Sequence, residues 1–277
     1  MKCAWKEFLA LLPEWMRPEV DKLGKTQLQE LRLRLGQEPE LITAKESISL
    51  GKSTCSSDLS FCVNAASRYS PWTAQTMAKG YISCPGGHRM GLCGEAVMDQ
   101  GCIRTIKNLR SLCIRVARDF PGISSRIEKT TDSILIAGPP GSGKTTLLRD
   151  LIRRISNTGP GSIGVVDERG ELFPGDAFDT GFRTDILTGC SKPEGLDMLL
   201  RVMGPDAIAV DEISAEEDCH ALIRAGNCGV KLLATCHAEN EKDLTRRPIY
   251  AELLKSRLFD TLVLLHPDKS LRTERMI

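Results

Sequence analysis

No stretch of this chain approaches the roughly 18 uninterrupted apolar residues of a membrane-crossing helix, so no helical membrane span is expected. Net charge is nearly absent too. The 37 Lys and Arg stand against 36 Asp and Glu, which gives no blanket case for nucleic-acid or membrane binding. No Cys-x-x-Cys pair occurs, and the 11 cysteines are odd in number. A disulfide framework suits small secreted domains, so mostly reduced, buried thiols in a cytosolic protein are expected instead. The nearest approaches to a metal cluster are Cys84, His88 and Cys93, and Cys219, His220 and Cys228. Neither group has the tight ligand spacing of a zinc site. Internal repeats and low-complexity segments are lacking. The opening MKCAWKEFLALLPEW is a poor signal peptide, because Glu7 interrupts its apolar run and Pro13-Glu14 offers no small-residue cleavage site. It reads as an amphipathic helix with Trp5, Phe8, Leu9 and Leu12 on one face.

What is present is a globular composition, 41% hydrophobic and 26% charged over 277 residues, enough for one or two domains with their own cores. The charge is unevenly spread. Residues 1–128 carry 18 basic and 13 acidic side chains and the remainder 19 and 23, so the halves are +5 and −4 and have complementary signs.

The patterning changes near the same place. LQELRLRLG at 28–36 alternates Leu with Arg, as a strand with one buried face would, and residues 60–78 read as helix. From Gly80, the runs YISC, HRMGLCGEAVM and CIRTIKNLRSLCIRVA read as strands parted by turns at Pro85-Gly86-Gly87 and Asp99-Gln100-Gly101. Residues 1–128 are therefore expected to form a small α+β domain. Asp119-Phe120-Pro121-Gly122 breaks that pattern, and from Asp132 apolar runs alternate with amphipathic helices. Strands are expected at 133–138, 162–168, 207–212, 230–236 and 259–265, and helices at 143–156, 194–203, 215–226 and 241–256. A polar, Gly-rich loop is expected between the second strand and the second helix. Residues 129–277 thus predict an α/β domain whose mostly parallel sheet is covered on both faces.

The strongest motif is Gly138-Pro139-Pro140-Gly141-Ser142-Gly143-Lys144-Thr145, which fits G-x-x-x-x-G-K-[ST] in full and is followed by Thr146. A buried strand precedes it and a helix follows, so backbone N–H groups can wrap a phosphate where the helix dipole favours anions. Glycine is needed where a Cβ would obstruct that approach. Lys144 is expected to reach the β- and γ-phosphates of ATP and Thr145 to ligate Mg²⁺. Hydrolysis needs a second acidic site, and AIAVDE supplies the pair Asp211-Glu212, one carboxylate able to hold the metal shell and the other to orient or deprotonate water. Asp167-Glu168 ends another strand in the same way, so a carboxylate of either pair could position the water. Thr235 and His237 follow the fourth strand, at the edge where such sheets bind ligands, and are placed to sense the γ-phosphate.

With these segments in view, RVMGPDAIAVDEISAEEDCHALIRAGNCGVKLLATCHAEN resembles the Walker B and His-box stretch of type II and type IV secretion ATPases. That resemblance implies a RecA-like P-loop NTPase domain, aligns Glu212 with the family's acid, and makes GVVDERGEL the acidic box with Glu168. Asp211 stands where many of those ATPases have Gly, which leaves its metal role open. HRMGLCGE and CIRVA look like strands whose arginines, here Arg89 and Arg115, face the nucleotide across a subunit or domain boundary. Arg169 and Arg183, flanking the acidic box, are further candidates for stabilising transition-state charge.

The whole chain resembles the stage III sporulation protein AA family through LQELRLRLG, YISCPGGHRMGLCGE, GPPGSGKTTLLRD, VVDERGEL, GFRTDILTGCSKPEGLDMLLRVMGPDAIAVDEI and RRPIYAELLKSRLFD. This resemblance implies a cytosolic, hexamer-forming ATPase of the mother cell, peripheral at a membrane. Its partners would be copies of itself and membrane components of a channel complex linking mother cell and forespore in endospore formation. Two other classes stay open. One is a nucleic-acid-binding ATPase using the basic run Arg104, Lys107, Arg110, Arg115 and Arg118, whose usual reading is a solvated strand face. The other is a scaffold that binds ATP with little turnover.

Overall fold

Leu31 and Leu33 are fully buried while Arg32 between them is exposed, so the Leu-Arg alternation becomes β1 (Glu30–Arg34), with one face on the core. The computed structural model describes residues 1–67, 80–128 and 130–276. These divide into two compact units, Met1–Asp119 with Pro174–Phe178, and Phe120–Phe173 with Asp179–Ile277.

The first unit is a six-stranded antiparallel sheet in the order β3-β2-β1-β6-β5-β4. Its other strands are β2 (Glu40–Ile42), β3 (Ser47–Ser49), β4 (Tyr81–Ser83), β5 (Arg89–Asp99) and β6 (Cys102–Arg115). Helices α1 (Trp5–Ala10), α2 (Arg17–Leu23) and α3 (Ser56–Ser67) accompany it. The expected N-terminal amphipathic helix is α1; Phe8 and Leu12 enter the core with Leu31, Leu33, Met90 and Ile114, while Trp5 and Leu9 pack at its margin. Helix is found from Ser56 to Ser67, and the rest of the helical expectation, 68–78, lies outside the described residues. The short segment Pro174–Phe178 groups here because Gly87 has no Cβ; one would lie 2.6 Å from the Phe178 ring.

His88, considered above with Cys84 and Cys93, is 1% exposed and committed to the backbone. Its Nδ1 accepts from the Ala117 amide at 3.0 Å, and its Nε2 donates to the Ala4 carbonyl at 2.9 Å. Burial holds its pKa below the ordinary histidine value, against the smaller opposing pulls of the Ala4 carbonyl and Glu7. The neutral ring is the folded form, so its contribution is complete above the unfolded value of about 6.5 and is lost as pH falls through the lower folded value. Melting temperature should therefore drop more steeply between pH 7 and pH 5 in the native chain than in His88→Gln. Parallel curves would remove His88 as the cause.

The second unit is a seven-stranded sheet in the order β13-β12-β7-β11-β10-β8-β9. Every pairing is parallel except that of β13. The strands are β7 (Ile134–Ala137), β8 (Ile163–Asp167), β9 (Thr184–Thr188), β10 (Ala207–Val210), β11 (Lys231–Cys236), β12 (Thr261–Leu265) and β13 (Leu271–Arg275). Helices α4 (Lys144–Thr158), α5 (Lys192–Val202), α6 (Glu216–Asn227), α7 (Glu241–Arg246) and α8 (Ala251–Lys255) fill the connections. The inner strands β7, β8, β10 and β12 are buried at every position, as expected of a parallel sheet covered on both faces.

Three details differ from the sequence reading. The loop after β8 contains β9, a polar edge strand paired only with β8, and β13 closes the other edge. The single helix expected over 241–256 is broken into α7 and α8, because Pro248 drives Arg247 out of the helical region to φ −84°, ψ 114°. The units part between Asp119 and Phe120, ahead of residue 128. Residues 122–127 are fastened to α4: Asp150 accepts from the Gly122 amide at 2.9 Å and the Ser124 amide at 2.7 Å, and Arg154 donates to the Ser124 and Ile127 carbonyls.

Candidate nucleotide-binding site

The phosphate-loop motif runs from the end of β7 into the first turn of α4, as the strand-loop-helix context required. Gly141 and Gly143 adopt φ 73° and 101°, in the left-handed region that favours glycine. A Cβ on Gly138 would lie 2.5 Å from the Leu265 carbonyl oxygen, so this glycine lets the loop pass close to β12.

Lys144 is 6% exposed, and its Nζ donates to the carbonyls of Gly138 at 2.8 Å and Pro139 at 3.0 Å and to His237 Nδ1 at 3.1 Å. Burial lowers its pKa from the ordinary lysine value. Among the described residues it forms no salt bridge, so a buried ammonium rests on neutral acceptors alone. Such a charge is costly without an anion. Ser142 Oγ is buried with no hydrogen-bond partner among the described residues. Both observations fit a phosphate-bearing ligand cradled by Gly138–Thr145.

Asp211 follows β10 and is joined to the loop through its neighbours. Thr145 Oγ1 donates to its Oδ2 at 2.7 Å and Thr235 Oγ1 to its Oδ1 at 2.7 Å. Burial raises the Asp211 pKa, and the two hydroxyls oppose that rise. Strand β11 lies between β7 and β10, which is why Thr235 can reach both Asp211 and the Glu212 amide, the latter at 2.8 Å. A hydroxyl and a carboxylate in contact at the helix start are the donor set a hard divalent cation takes. Thr145 and Asp211 fit Mg²⁺.

Glu212 sits at φ 50°, strained for a non-glycine residue, and such strain gathers at functional sites. Its carboxylate lies 3.4 Å from His237 Nε2 and 3.5 Å from an Arg169 nitrogen. His237 therefore bridges Lys144 and Glu212. Since the ammonium can only donate, Nδ1 accepts and Nε2 carries the hydrogen toward Glu212.

The second acidic pair divides in two. Asp167, 2% exposed, accepts from the Glu171 amide at 2.8 Å and the Phe173 amide at 3.0 Å, and so shapes the loop after β8. Glu168 instead pairs with Lys192 at 2.7 Å. Glu168 and Glu212 line one small cavity of about 20 Å³ together with Asp167, Arg169, Lys192 and Asp211.

The arginines are dispersed. Arg169 is at the site, whereas Arg183 donates to the Ser156 and Gly159 carbonyls at 3.4 and 3.0 Å, at the end of α4 opposite Lys144. Arg89 and Arg115 stand opposite each other across β5 and β6 in the first unit. There Arg89 lies 4.0 Å over the Tyr81 ring, and Arg115 lies 3.3 Å from Glu30. Two lysines escaped sequence reasoning: Lys192, and Lys269, which donates to the Gly141 carbonyl at 2.6 Å. A signal existed for Lys192, a basic residue in a first helical turn where the dipole disfavours one. Nothing local marks Lys269.

The fold is the RecA-like one of the type IV secretion and pilus ATPases. The ATPase DotB of Legionella pneumophila is 14% identical with TM-score 0.59, over 95% of this chain and 80% of that one. The pilus retraction motor PilT, solved with bound ADP, is 14% identical with TM-score 0.60, over 90% of this chain and 76% of that one. The chain belongs to the sporulation stage III, protein AA family, which it matches over residues 9–275. A relative in that family, stage III sporulation protein AA of Bacillus subtilis (strain 168), is 35% identical over 274 residues, 92% of this chain and 88% of that protein.

Proposed function

We propose that the second unit binds and hydrolyses Mg-ATP, and that copies of the chain form a hexameric ring motor. In this reading the ring sits at the mother-cell side of a membrane and drives a channel complex toward the forespore. The observation that carries the reading is Lys144, a buried ammonium whose partners among the described residues are neutral, beside the Thr145–Asp211 pair. Gly138–Thr145 and Thr146 would hold the phosphates, and Thr145 and Asp211 the metal. When bound, Mg²⁺ neutralises charge on the β- and γ-phosphates. Lys144 turns from the loop carbonyls to the phosphates, Glu212 takes the water proton, and His237, hydrogen-bonded to Lys144 and 3.4 Å from Glu212, reports the change between them. Family membership supports the sporulation setting, and the fold supports the motor. Among the described residues no helix is long and apolar enough to cross a membrane.

Three of the five basic residues that raise a nucleic-acid reading have partners within the first unit: Arg104 lies 3.7 Å from Asp99, Arg115 3.3 Å from Glu30, and Arg118 donates to the Thr26 carbonyl at 3.0 Å. Opposite net charges of the halves, +5 and −4, support contacts between copies. A ring that borrows an arginine makes a mixing prediction. Lys144→Ala protein and Arg89→Ala or Arg115→Ala protein, each inactive alone, should regain turnover when mixed, because an arginine supplied in trans is worth about 10³ to 10⁵ in rate. Mass measurements should show a single large species with Mg-ATP. No rescue at any mixing ratio would confine the arginines to their own chain, and a strict monomer would exclude the ring.

A further inference from the structure

Lys192 takes the first position of α5, behind the Ser191 cap, where helix amides put partial positive charge. Its side chain is only 6% exposed, and Nζ lies 2.7 Å from Glu168 Oε2 and 3.5 Å from Asp218 Oδ2. A buried ammonium against a helix start is costly unless anionic groups offset it, and here two carboxylates do. Asp218 is already engaged, accepting from the Ser214 amide at 2.9 Å, the Ala215 amide at 3.2 Å and the Ser214 hydroxyl at 3.3 Å. It thereby fastens the loop that leads on from Glu212. Glu168 has no such anchor, and its one side-chain hydrogen bond among the described residues is to Lys192. Lys192 thus ties the strand end that carries Glu168 to the loop that follows Glu212.

The cavity between the two acids has room for about one water, since a single water needs roughly 10–15 Å³ and this space measures about 20 Å³. We propose that Lys192 is a positioning residue for hydrolysis, holding Glu168 as a fixed wall of this one-water cavity so that the water is presented to Glu212. The water oxygen forms the new bond to the γ-phosphorus as the bridging P–O bond breaks and ADP leaves with its electron pair. One water proton passes to Glu212. The proposal rests on the hydrolysis reading and deepens it: Glu212 is the base, and Glu168 orients.

The test uses the full chain and steady-state kinetics on Lys192→Met, Lys192→Arg, Glu168→Gln and the Lys192→Met/Glu168→Gln double variant. Lys192→Met should lower kcat about 10- to 100-fold with KM for Mg-ATP within about twofold, as loss of positioning does. Lys192→Arg should recover most of that loss. In the Glu168→Gln background Lys192→Met should cost no more than about twofold further, because residues acting as a unit are not additive. Independent, multiplying losses in the double variant would overturn the proposal, and so would a native kcat for Lys192→Met. Should Lys192→Met fail to fold, Glu168→Gln decides: a kcat loss at unchanged KM supports the role, and native kcat overturns it. Absence of turnover in the native protein removes the hydrolysis reading and this proposal together, whereas native turnover with an unaffected Lys192→Met removes only the latter.

Discussion

Lys144→Ala should lose ATP turnover by at least about 10²- to 10³-fold, the size expected when one preorganised charge is taken from a transition state. The larger effect should appear in binding. The Lys144 ammonium has no carboxylate partner among the described residues and is held by the Gly138 and Pro139 carbonyls and His237. Phosphate is an anion this arrangement suits, and alanine removes the attraction without removing a core contact. Stabilisation by ligand provides the measurement. At 100 times its dissociation constant Mg-ATP should add about 2.7 kcal/mol to the native protein and almost nothing to Lys144→Ala. Equal thermal shifts in the two proteins would mean that the loop does not bind the nucleotide.

Glu212→Gln should keep Mg-ATP bound and slow turnover by about 10²- to 10⁴-fold, the usual contribution of a general base. Glutamine preserves the shape and can adopt the φ of 50° no worse than glutamate, so the Thr235 bond to the Glu212 amide should survive. What disappears is the negative charge next to His237 and Arg169 and the ability to accept a proton. A slow enzyme with native KM is the expected profile. Undiminished kcat in Glu212→Gln, with a large loss in Glu168→Gln, would transfer the water-activating role to Glu168.

Much of the second unit was legible because two strong signals coincided in it. Buried strands such as ILIA and AIAV are short, wholly apolar runs, and each is followed by an amphipathic helix. Edge strands carry no such mark: β9 reads TDILT and has only one partner, so polar residues are tolerated and the run resembles a loop. The site divided along a similar line. Motif residues at strand ends, Lys144, Thr145, Asp211, Glu212 and His237, are marked by position and are joined by hydrogen bonds or close ionic contacts. Lys192 was missed because its meaning lies in two carboxylates distant in sequence. Thr235, at a strand end expected to sense the γ-phosphate, has a hydroxyl that donates to Asp211 and accepts from the Glu212 amide. Strand order, which places β11 between β7 and β10, decides that, and it is not written in any local pattern.

The central claim is that this chain turns over ATP. Phosphate release from Mg-ATP, measured per subunit on the native protein at concentrations where it assembles, tests it most directly. The account predicts Mg²⁺-dependent turnover that vanishes in Lys144→Ala. Tight Mg-ATP binding with no phosphate release at any protein concentration would contradict it.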